Sequence, residues 1–313
     1  MGVPVFGYDA VLAAVSPERA IDEVRAAFVH YRRREWSMPP KLYLESPPHG
    51  DFRAMPALGD GLAILKWVTS FPGNHAKGAP TVTGVVCVSD ANDGALLMLL
   101  DGRAVTALRT GAAAAVAARA LAPPDRSVGM IGCGVHGAWA ARCLAAAGFG
   151  PGRCADPDAR AAEALATELG WDVATREQAV AAGVVTTTTP GAAPVITVAD
   201  LHPGLHLTLL GADGPGKAET TVDVLARCAL FCDEWEQASH GGDIHQGAAL
   251  GRITREDVTE LGAVLTGEST GRTSAEEVTL FDSTGLAIQD LAIARAVWDA
   301  WSAGGLDAPM VEI

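Results

Sequence analysis

The stretch Val128-Gly-Met-Ile-Gly-Cys-Gly-Val-His-Gly137 constrains this chain more than any other. A short apolar run stops at Gly132. Glycines 132, 134 and 137 come next in the spacing G-x-G-x-x-G, and Ala138 to Ala147 reads as a small-residue helix. A strand, a tight glycine turn and a helix N-terminus together make a place for a pyrophosphate. Gly132 permits the turn, Gly134 lets the backbone approach the phosphates, and Gly137 lets the helix pack closely on the strand. In a chain with 35 glycines the spacing alone is weak. Asp156 strengthens it: it ends the next expected strand, 24 residues after Gly132, where a carboxylate can bond a ribose hydroxyl.

Beyond the turn the same rhythm of strand and helix recurs. Strands are expected at 128–132, 153–156, 171–174, 184–189, 205–210 and 229–233, with helices near 136–147, 158–169, 176–182 and 220–227. That alternation gives a Rossmann-type, doubly wound parallel sheet with helices on both faces. A strand-like Val278-Thr-Leu-Phe281 and a long helix from Leu286 to Ala303 close the chain.

The N-terminal part is built differently. Ser16-Pro17-Glu18 starts a helix with a hydroxyl cap, proline in the first turn and an acid beside the helix N-terminus. Between Lys41 and Leu100, turn signals separate strands around 41–45, 52–57, 62–69, 81–89 and 95–100, which favours an antiparallel or mixed sheet. An alanine-rich helix, Gly102 to Leu121, ends at Ala122-Pro-Pro-Asp125, and the domain boundary is placed there. The expectation is an α/β protein: an α+β domain over 1–122, completed by the C-terminal helix (about 286–313), and a dinucleotide-binding domain over 123–285.

Composition removes several function classes. The formal charge is −14, so general nucleic-acid binding is disfavoured and any anionic substrate needs locally placed cations. No apolar run is long enough to span a bilayer. The N-terminus lacks a basic segment followed by an apolar one, so a cytoplasmic protein is the default. Six scattered cysteines read as buried free thiols, and no His/Cys set completes a metal site.

Lys66 is the first candidate for chemistry. In Leu62-Ala-Ile-Leu-Lys-Trp-Val-Thr69, alternation puts Ile64, Lys66 and Val68 on one face and Leu65 and Trp67 on the other. Both faces are apolar, so an interior strand is expected, and an interior lysine loses proton affinity and becomes a usable base near neutral pH. A snorkelling edge lysine is the plain alternative. Lys41 and Arg53 lie on neighbouring strands, and three cations near one apolar sheet suggest a carboxylate pocket. Arg109, mid-helix, is placed to reach a pyrophosphate or simply to face solvent. Gly211-Ala-Asp-Gly-Pro-Gly-Lys217 comes after a strand of the parallel sheet, so Asp213 and Lys217 are expected at the ligand crevice. Thr186 to Thr189 end another such strand. His136 sits in the glycine turn as a neighbour of the cofactor, and His240 has no assigned role.

Six stretches taken together resemble the ornithine cyclodeaminase/μ-crystallin family. They are Gly50-Asp-Phe-Arg-Ala-Met-Pro56, Lys66-Trp-Val-Thr-Ser-Phe-Pro-Gly-Asn74, Thr106-Ala-Leu-Arg-Thr-Gly111, Ile131-Gly-Cys-Gly134, the 211–217 loop and Phe281-Asp-Ser-Thr-Gly285. Within the family the chain most resembles the archaeal-type alanine dehydrogenases. Arg53 before Ala-Met-Pro, Thr187-Thr-Thr-Pro190, Glu236-Gln-Ala-Ser-His-Gly-Gly242 and Asp282-Ser-Thr-Gly-Leu-Ala-Ile-Gln-Asp290 carry that likeness. Ornithine cyclodeaminases carry a glutamate where this chain has Arg53, which weighs against their activity.

The resemblance implies a homodimer paired through the first domain, a nicotinamide cofactor, and an amino acid, imino acid or ketimine substrate. It implies that Lys41, Arg53 and Lys66 hold the substrate carboxylate, that Lys66 moves a proton, and that Asp213 is a catalytic aspartate. Thr81, Arg109, Val135, His136, Asp156, Thr189, Lys217 and Ser283 match cofactor-contacting positions, and Thr284 a position lining the substrate pocket. The Asp156 carboxylate would repel a 2′-phosphate, so NAD is expected over NADP. The functions this leaves are an alanine dehydrogenase or imine reductase, a cyclodeaminase that recycles its NAD, and a crystallin-like dinucleotide binder.

Overall fold

The computed structural model describes residues 2–191, 193–214 and 216–313. The chain divides into two compact units, Met1–Arg109 with Leu286–Ile313 and Thr110–Gly285. The division falls inside the alanine-rich helix, before the Pro123-Pro124 break.

Unit 1 begins with β1 (Gly2–Phe6), α1 (Tyr8–Ala14) and α2 (Pro17–Arg32). The Ser16 hydroxyl caps α2 by accepting the Arg19 amide at 3.2 Å, as the Ser-Pro-Glu start implies. Strands β2 (Leu42–Ser46), β3 (Gly50–Gly59), β4 (Leu62–Ser70), β5 (Val82–Asp90) and β6 (Leu96–Asp101) come next as an antiparallel meander, and β1 lies parallel beside β6. Helix α3 (Gly102–Leu121) then leads out of the sheet.

Unit 2 is the alternating part. Strands β7 (Val128–Ile131), β8 (Gly152–Ala155), β9 (Asp172–Val173), β10 (Val184–Thr187), β11 (His206–Leu209), β12 (Ala229–Cys232), β13 (Val258–Glu260) and β14 (Thr279–Asp282) form one sheet in the order β13-β12-β14-β11-β10-β7-β8-β9. Every pairing in it is parallel. Helices α4 (Val135–Ala146), α5 (Ala159–Leu169), α6 (Arg176–Ala179), α7 (Val222–Leu225), α8 (Trp235–Gly241), α9 (His245–Ala249) and α10 (Leu261–Leu265) connect the strands. Strand order reverses between β7 and β10, and ligands of such sheets bind outside the carboxyl ends at that switch. Strands β7, β10, β11 and β14 are buried throughout, as expected of a parallel sheet covered on both faces.

The chain then returns to unit 1 with α11 (Ala287–Ser302) and β15 (Met310–Glu312). Helix α11 packs along α2 and over β3 and β4, and β15 pairs antiparallel with β1.

One expectation needs correction. Strand β4 is interior to its sheet, between β3 and β5, but only one of its faces is buried. Lys66 faces inward, whereas Leu65 and Trp67 are 43% and 37% exposed. They share the open face with Leu42 and Val85, and cross-strand register puts Leu42, Ala54, Trp67 and Val85 in one row. The run is apolar on both faces, but only one of them is covered within the described residues, and the other is an exposed apolar face of the sheet.

Candidate active site

In unit 2 the glycine turn has the form its spacing implies. Gly132 has φ +92°, a left-handed conformation that a side chain would strain. A Cβ on Gly137 would lie 1.9 Å from the Gly132 carbonyl oxygen, so only glycine lets α4 start this close to β7. A Cβ on Gly134 would meet nothing within 4 Å. The turn is closed by the protein on two sides and open on the third, where α4 begins without a side-chain cap. Val135 and His136 occupy the first turn of α4, and Val135 is exposed. The turn therefore suits a pyrophosphate on exposed backbone amides.

Asp156 directly follows β8 beside this turn. One carboxylate oxygen accepts the Cys133 amide at 2.6 Å and the other the Asp158 amide at 2.8 Å. The acid is thus held at the strand end by the loop it serves.

Further along the carboxyl ends of the strands, Thr189 is tied to Glu219. This buried glutamate also accepts the amides of Leu210 at 3.0 Å and Gly211 at 2.7 Å. Burial pushes its carboxyl up, against the pull of these hydrogen bonds. Asp213 and Lys217 form an ion pair at 2.6 Å across the loop after β11. Pro215 of that loop lies outside the described residues. Ser283 and Thr284 come directly after β14, and their hydroxyls donate to Asp233 at 3.3 and 3.1 Å. The Gly285 amide completes this knot at 2.7 Å from Asp233.

Unit 1 carries the cations. The Lys66 side chain is 1% exposed. Its Nζ lies 2.7 Å from each Asp290 carboxylate oxygen and donates to the Thr106 hydroxyl at 3.4 Å. The Thr106 hydroxyl donates in turn to the Gly102 carbonyl at 2.7 Å. Burial pulls the Lys66 amine down from its usual range to about 8, Asp290 opposes that, and the Arg109 and Arg53 charges add to it. Arg53 shares the Lys66 face of the sheet, because its cross-strand partner is Val68, two residues along β4. Asp51 grips it, with Nε to Oδ1 at 2.6 Å and Nη2 to Oδ2 at 3.2 Å, and it lies over the Tyr43 ring. Lys41 stands one residue before β2 and Thr81 one residue before β5. Arg109 places Nε 3.7 Å from Asp290, and this buried nitrogen has no hydrogen-bond partner among the described residues.

Unit 1 therefore brings Lys66 and Arg109 to one buried carboxylate, Asp290, with Arg53 held by Asp51 and its charge felt at Lys66. Lys66 and Asp213, paired by role in the sequence, belong to different units. Sequence reasoning misses Asp290, Glu219 and Asp233 as site residues. For Asp290 a signal exists in the sequence: it is the only charge between Gly285 and Arg295. A lone acid in such an apolar helix implies a buried partner. Among the described residues no cluster of His, Cys, Asp or Glu is arranged to hold a metal ion.

Residues 9–305 match the model of the ornithine cyclodeaminase/mu-crystallin family. The chain belongs to this family. It is 40% identical over 297 residues to the alanine dehydrogenase of Archaeoglobus fulgidus, covering 92% of either chain. It is 36% identical over 259 residues to the ornithine cyclodeaminase of Agrobacterium tumefaciens, covering 79% of this chain and 71% of that one. Its fold matches a solved archaeal alanine dehydrogenase dimer with bound NAD, with a TM-score of 0.94, 37% identity and all of both chains covered. Family membership accounts for six motifs arriving in order, and the fold bears out the expected α/β class.

Proposed function

We propose that this protein is an NAD-dependent oxidoreductase acting on the Cα–N bond of a small amino acid, or in reverse on its imine, in the manner of alanine dehydrogenase. The observation that carries this reading is Lys66, a fully buried amine with a proton affinity near neutrality, flanked by Arg53 and Arg109. A dinucleotide binder has no need of such a group, since burying it costs stability.

The chain fits the cofactor. Gly132, Gly134, Val135 and His136 would carry the pyrophosphate turn, and Asp156 the ribose hydroxyls. Thr81, Arg109, Thr189, Lys217 and Ser283 are the further cofactor contacts. A carboxylate at Asp156 favours NAD over NADP. Bound NAD supplies the acceptor for the substrate's Cα hydride. The protein's own work is orientation and proton handling. Lys41 and Arg53 hold the substrate carboxylate, and Thr284 lines the pocket. Lys66 in its neutral form takes a proton from the substrate amine. Asp213 serves the water that attacks the imine, releasing ammonia and a 2-oxo acid.

Unit 1 is the substrate and dimerisation domain and unit 2 the dinucleotide domain. The homodimer forms through the open face of the unit 1 sheet. The free thiols suit a reducing cytoplasm, and no described helix is long and apolar enough to cross a membrane.

The second reading, a cyclodeaminase that recycles NAD, is favoured by Asp213, whose carboxylate could receive a substrate side-chain amine in place of Lys217. Arg53 weighs against it. The deciding experiment tracks NADH while small L-amino acids are offered with NAD, and oxo acids with ammonia or cyclic imines are offered with NADH. Turnover of alanine or another small amino acid supports the dehydrogenase. Conversion of ornithine to proline without net NADH supports the cyclodeaminase, and no turnover with any of them refutes both.

A further inference from the structure

We propose that Asp290 is the positioning residue of the reaction: from helix α11 it fixes the Lys66 amine in place and governs when that amine can release or accept a proton. The proposal rests on the reading of Lys66 as the proton carrier.

The geometry is specific. Lys66 and Asp290 come from elements far apart in sequence, and both side chains are sealed from water, at 1% and 0% exposure. The ammonium sits astride the carboxylate, 2.7 Å from either oxygen. Thr106 accepts a second N–H, and its own proton is committed to the Gly102 carbonyl. Two of the three ammonium hydrogens are thereby assigned, which leaves one direction for a substrate.

Charge explains why the carboxylate is needed. Two further cations face Lys66: Arg109 from α3 and Arg53 from β3, the latter with Asp51 as its own counter-ion. From β5 the cross-strand partner is Val86, which is apolar and buried. Burial and both arginines drive the amine towards neutrality, and the Asp290 carboxylate is the charge among the described residues that opposes them. Without Asp290 the lysine would stay neutral at physiological pH and could not protonate an imine nitrogen. With a stronger counter-ion it would stay charged and could not take an amine proton.

A purely structural ion pair is the competing explanation. Buried pairs of that kind are commonly no better for stability than well-packed apolar residues. Two cations here share one acid, so the Lys66–Arg109–Asp290 cluster keeps a surplus positive charge suited to a substrate carboxylate.

The test compares Asp290→Asn and Asp290→Glu in the full-length protein with NAD bound. Two quantities are read: the pH dependence of kcat/KM for amino-acid oxidation, and the titration of the Lys66 side chain by NMR on lysine labelled with ¹³C at Cε, assigned with Lys66→Arg. In Asp290→Asn the acidic limb of the rate profile and the Lys66 titration should both move down by about one pH unit or more. Asp290→Glu should restore both towards the wild-type values. A folded Asp290→Asn protein whose Lys66 titrates where the wild type does overturns the proposal. So does failure of the glutamate to restore the titration that asparagine moves. If Asp290→Asn does not fold, the Asp290→Glu titration and profile decide alone, unchanged position with retained rate supporting the proposal and loss of both refuting it. Failure of the underlying reading looks different: Lys66→Met would keep its turnover, whatever the lysine titration shows in the Asp290 variants.

Discussion

Glu219 accepts two hydrogen bonds from Thr189, from its amide at 2.6 Å and from its hydroxyl at 2.8 Å. Its second oxygen accepts the amides of Leu210 and Gly211. One buried carboxylate thus ties the ends of β10 and β11, the strands that lead to Thr189 and to the Asp213 loop. In Glu219→Gln one oxygen becomes an NH₂ facing donors. The expected cost is about 2–4 kcal/mol of stability, since buried donors lose their acceptor. The NAD Kd should rise as the Thr189 loop loosens. Thermal unfolding and NADH fluorescence titration check this, and a variant unchanged in both removes Glu219 from the cofactor site's support.

The two glycines of the turn separate folding from binding. A Cβ on Gly137 collides with the Gly132 carbonyl, whereas a Cβ on Gly134 meets no protein atom. Gly137→Ala should lower the melting temperature by several degrees, the mark of an overpacked contact. Gly134→Ala should melt like the wild type and bind NAD about tenfold or more weakly, because only the approaching phosphates feel the methyl group. Equal NAD affinity in a stable Gly134→Ala protein would place the pyrophosphate elsewhere.

How legible this was from sequence depended on how local each interaction is. The glycine turn, the Ser16 cap and the strand–helix alternation are set by neighbouring residues, and the structure places them within two residues of the expected bounds, except that α6 ends at Ala179, three residues short. Short α8, α9 and α10, with β1, β13 and β15, escaped because segments of that length carry little periodicity. Lys66 could be singled out, since a lysine in an apolar run is anomalous on sight. Its partner could not be assigned: Asp290 is 224 positions away, and only the return of α11 to unit 1 brings them together. The open sheet face was misjudged for a related reason. Apolar alternation on both sides of β4 looks the same whether the second face meets a helix or another copy of the chain.

Asp243 and Asp282 give a stability prediction with a definite sign. Burial and the neighbouring Glu219 push the Asp243 carboxyl up from 3.8 to about 7, and burial with Asp243 raises that of Asp282 as well. Each has one buried oxygen with no hydrogen-bond donor among the described residues. A carboxyl raised in the folded state contributes stability below its unfolded pKa and loses it as pH climbs through the folded value. The wild type should therefore lose stability between about pH 4 and pH 7 at this site. Asp243→Asn keeps an oxygen for the Glu219 and Thr220 amides, which Oδ1 accepts at 2.8 Å, and removes one charge. It should melt several degrees above the wild type at pH 8, with the advantage fading towards pH 4. A lower melting temperature at pH 8 would show that both charges are compensated.

The proposed dimer through the open face of the unit 1 sheet can be tested at one residue. Trp67 stacks on Phe52 at 5.6 Å between centroids and stands in a cross-strand row with Leu42, Ala54 and Val85. A charge there would have to be desolvated in a dimer but can stay hydrated in a monomer. If the proposed dimer forms through this face, the wild type should sediment as a dimer and Trp67→Glu as a monomer at the same concentration. Sedimentation velocity of the two proteins decides it, and a dimeric variant moves the interface off this face.

The role proposed for Asp156 yields the last prediction, on which dinucleotide is preferred. Its carboxylate is anchored by the Cys133 and Asp158 amides, so it cannot swing away from an incoming 2′-phosphate without freeing the glycine turn. Like-charge repulsion and the lost ribose bonds should then act together against NADP. Asp156→Ser removes the charge but keeps a hydroxyl able to bond one of the two amides. The ratio of kcat/KM for NAD over NADP should fall on the order of a hundredfold, the worth of hydrogen bonds to a charged group. Most of the change should appear in KM, because the ribose contacts are made equally in the ground and transition states. Steady-state kinetics with both cofactors, and with the same amino acid, provides the comparison. If the ratio does not move, the ribose lies away from Asp156, and this acid only braces the turn.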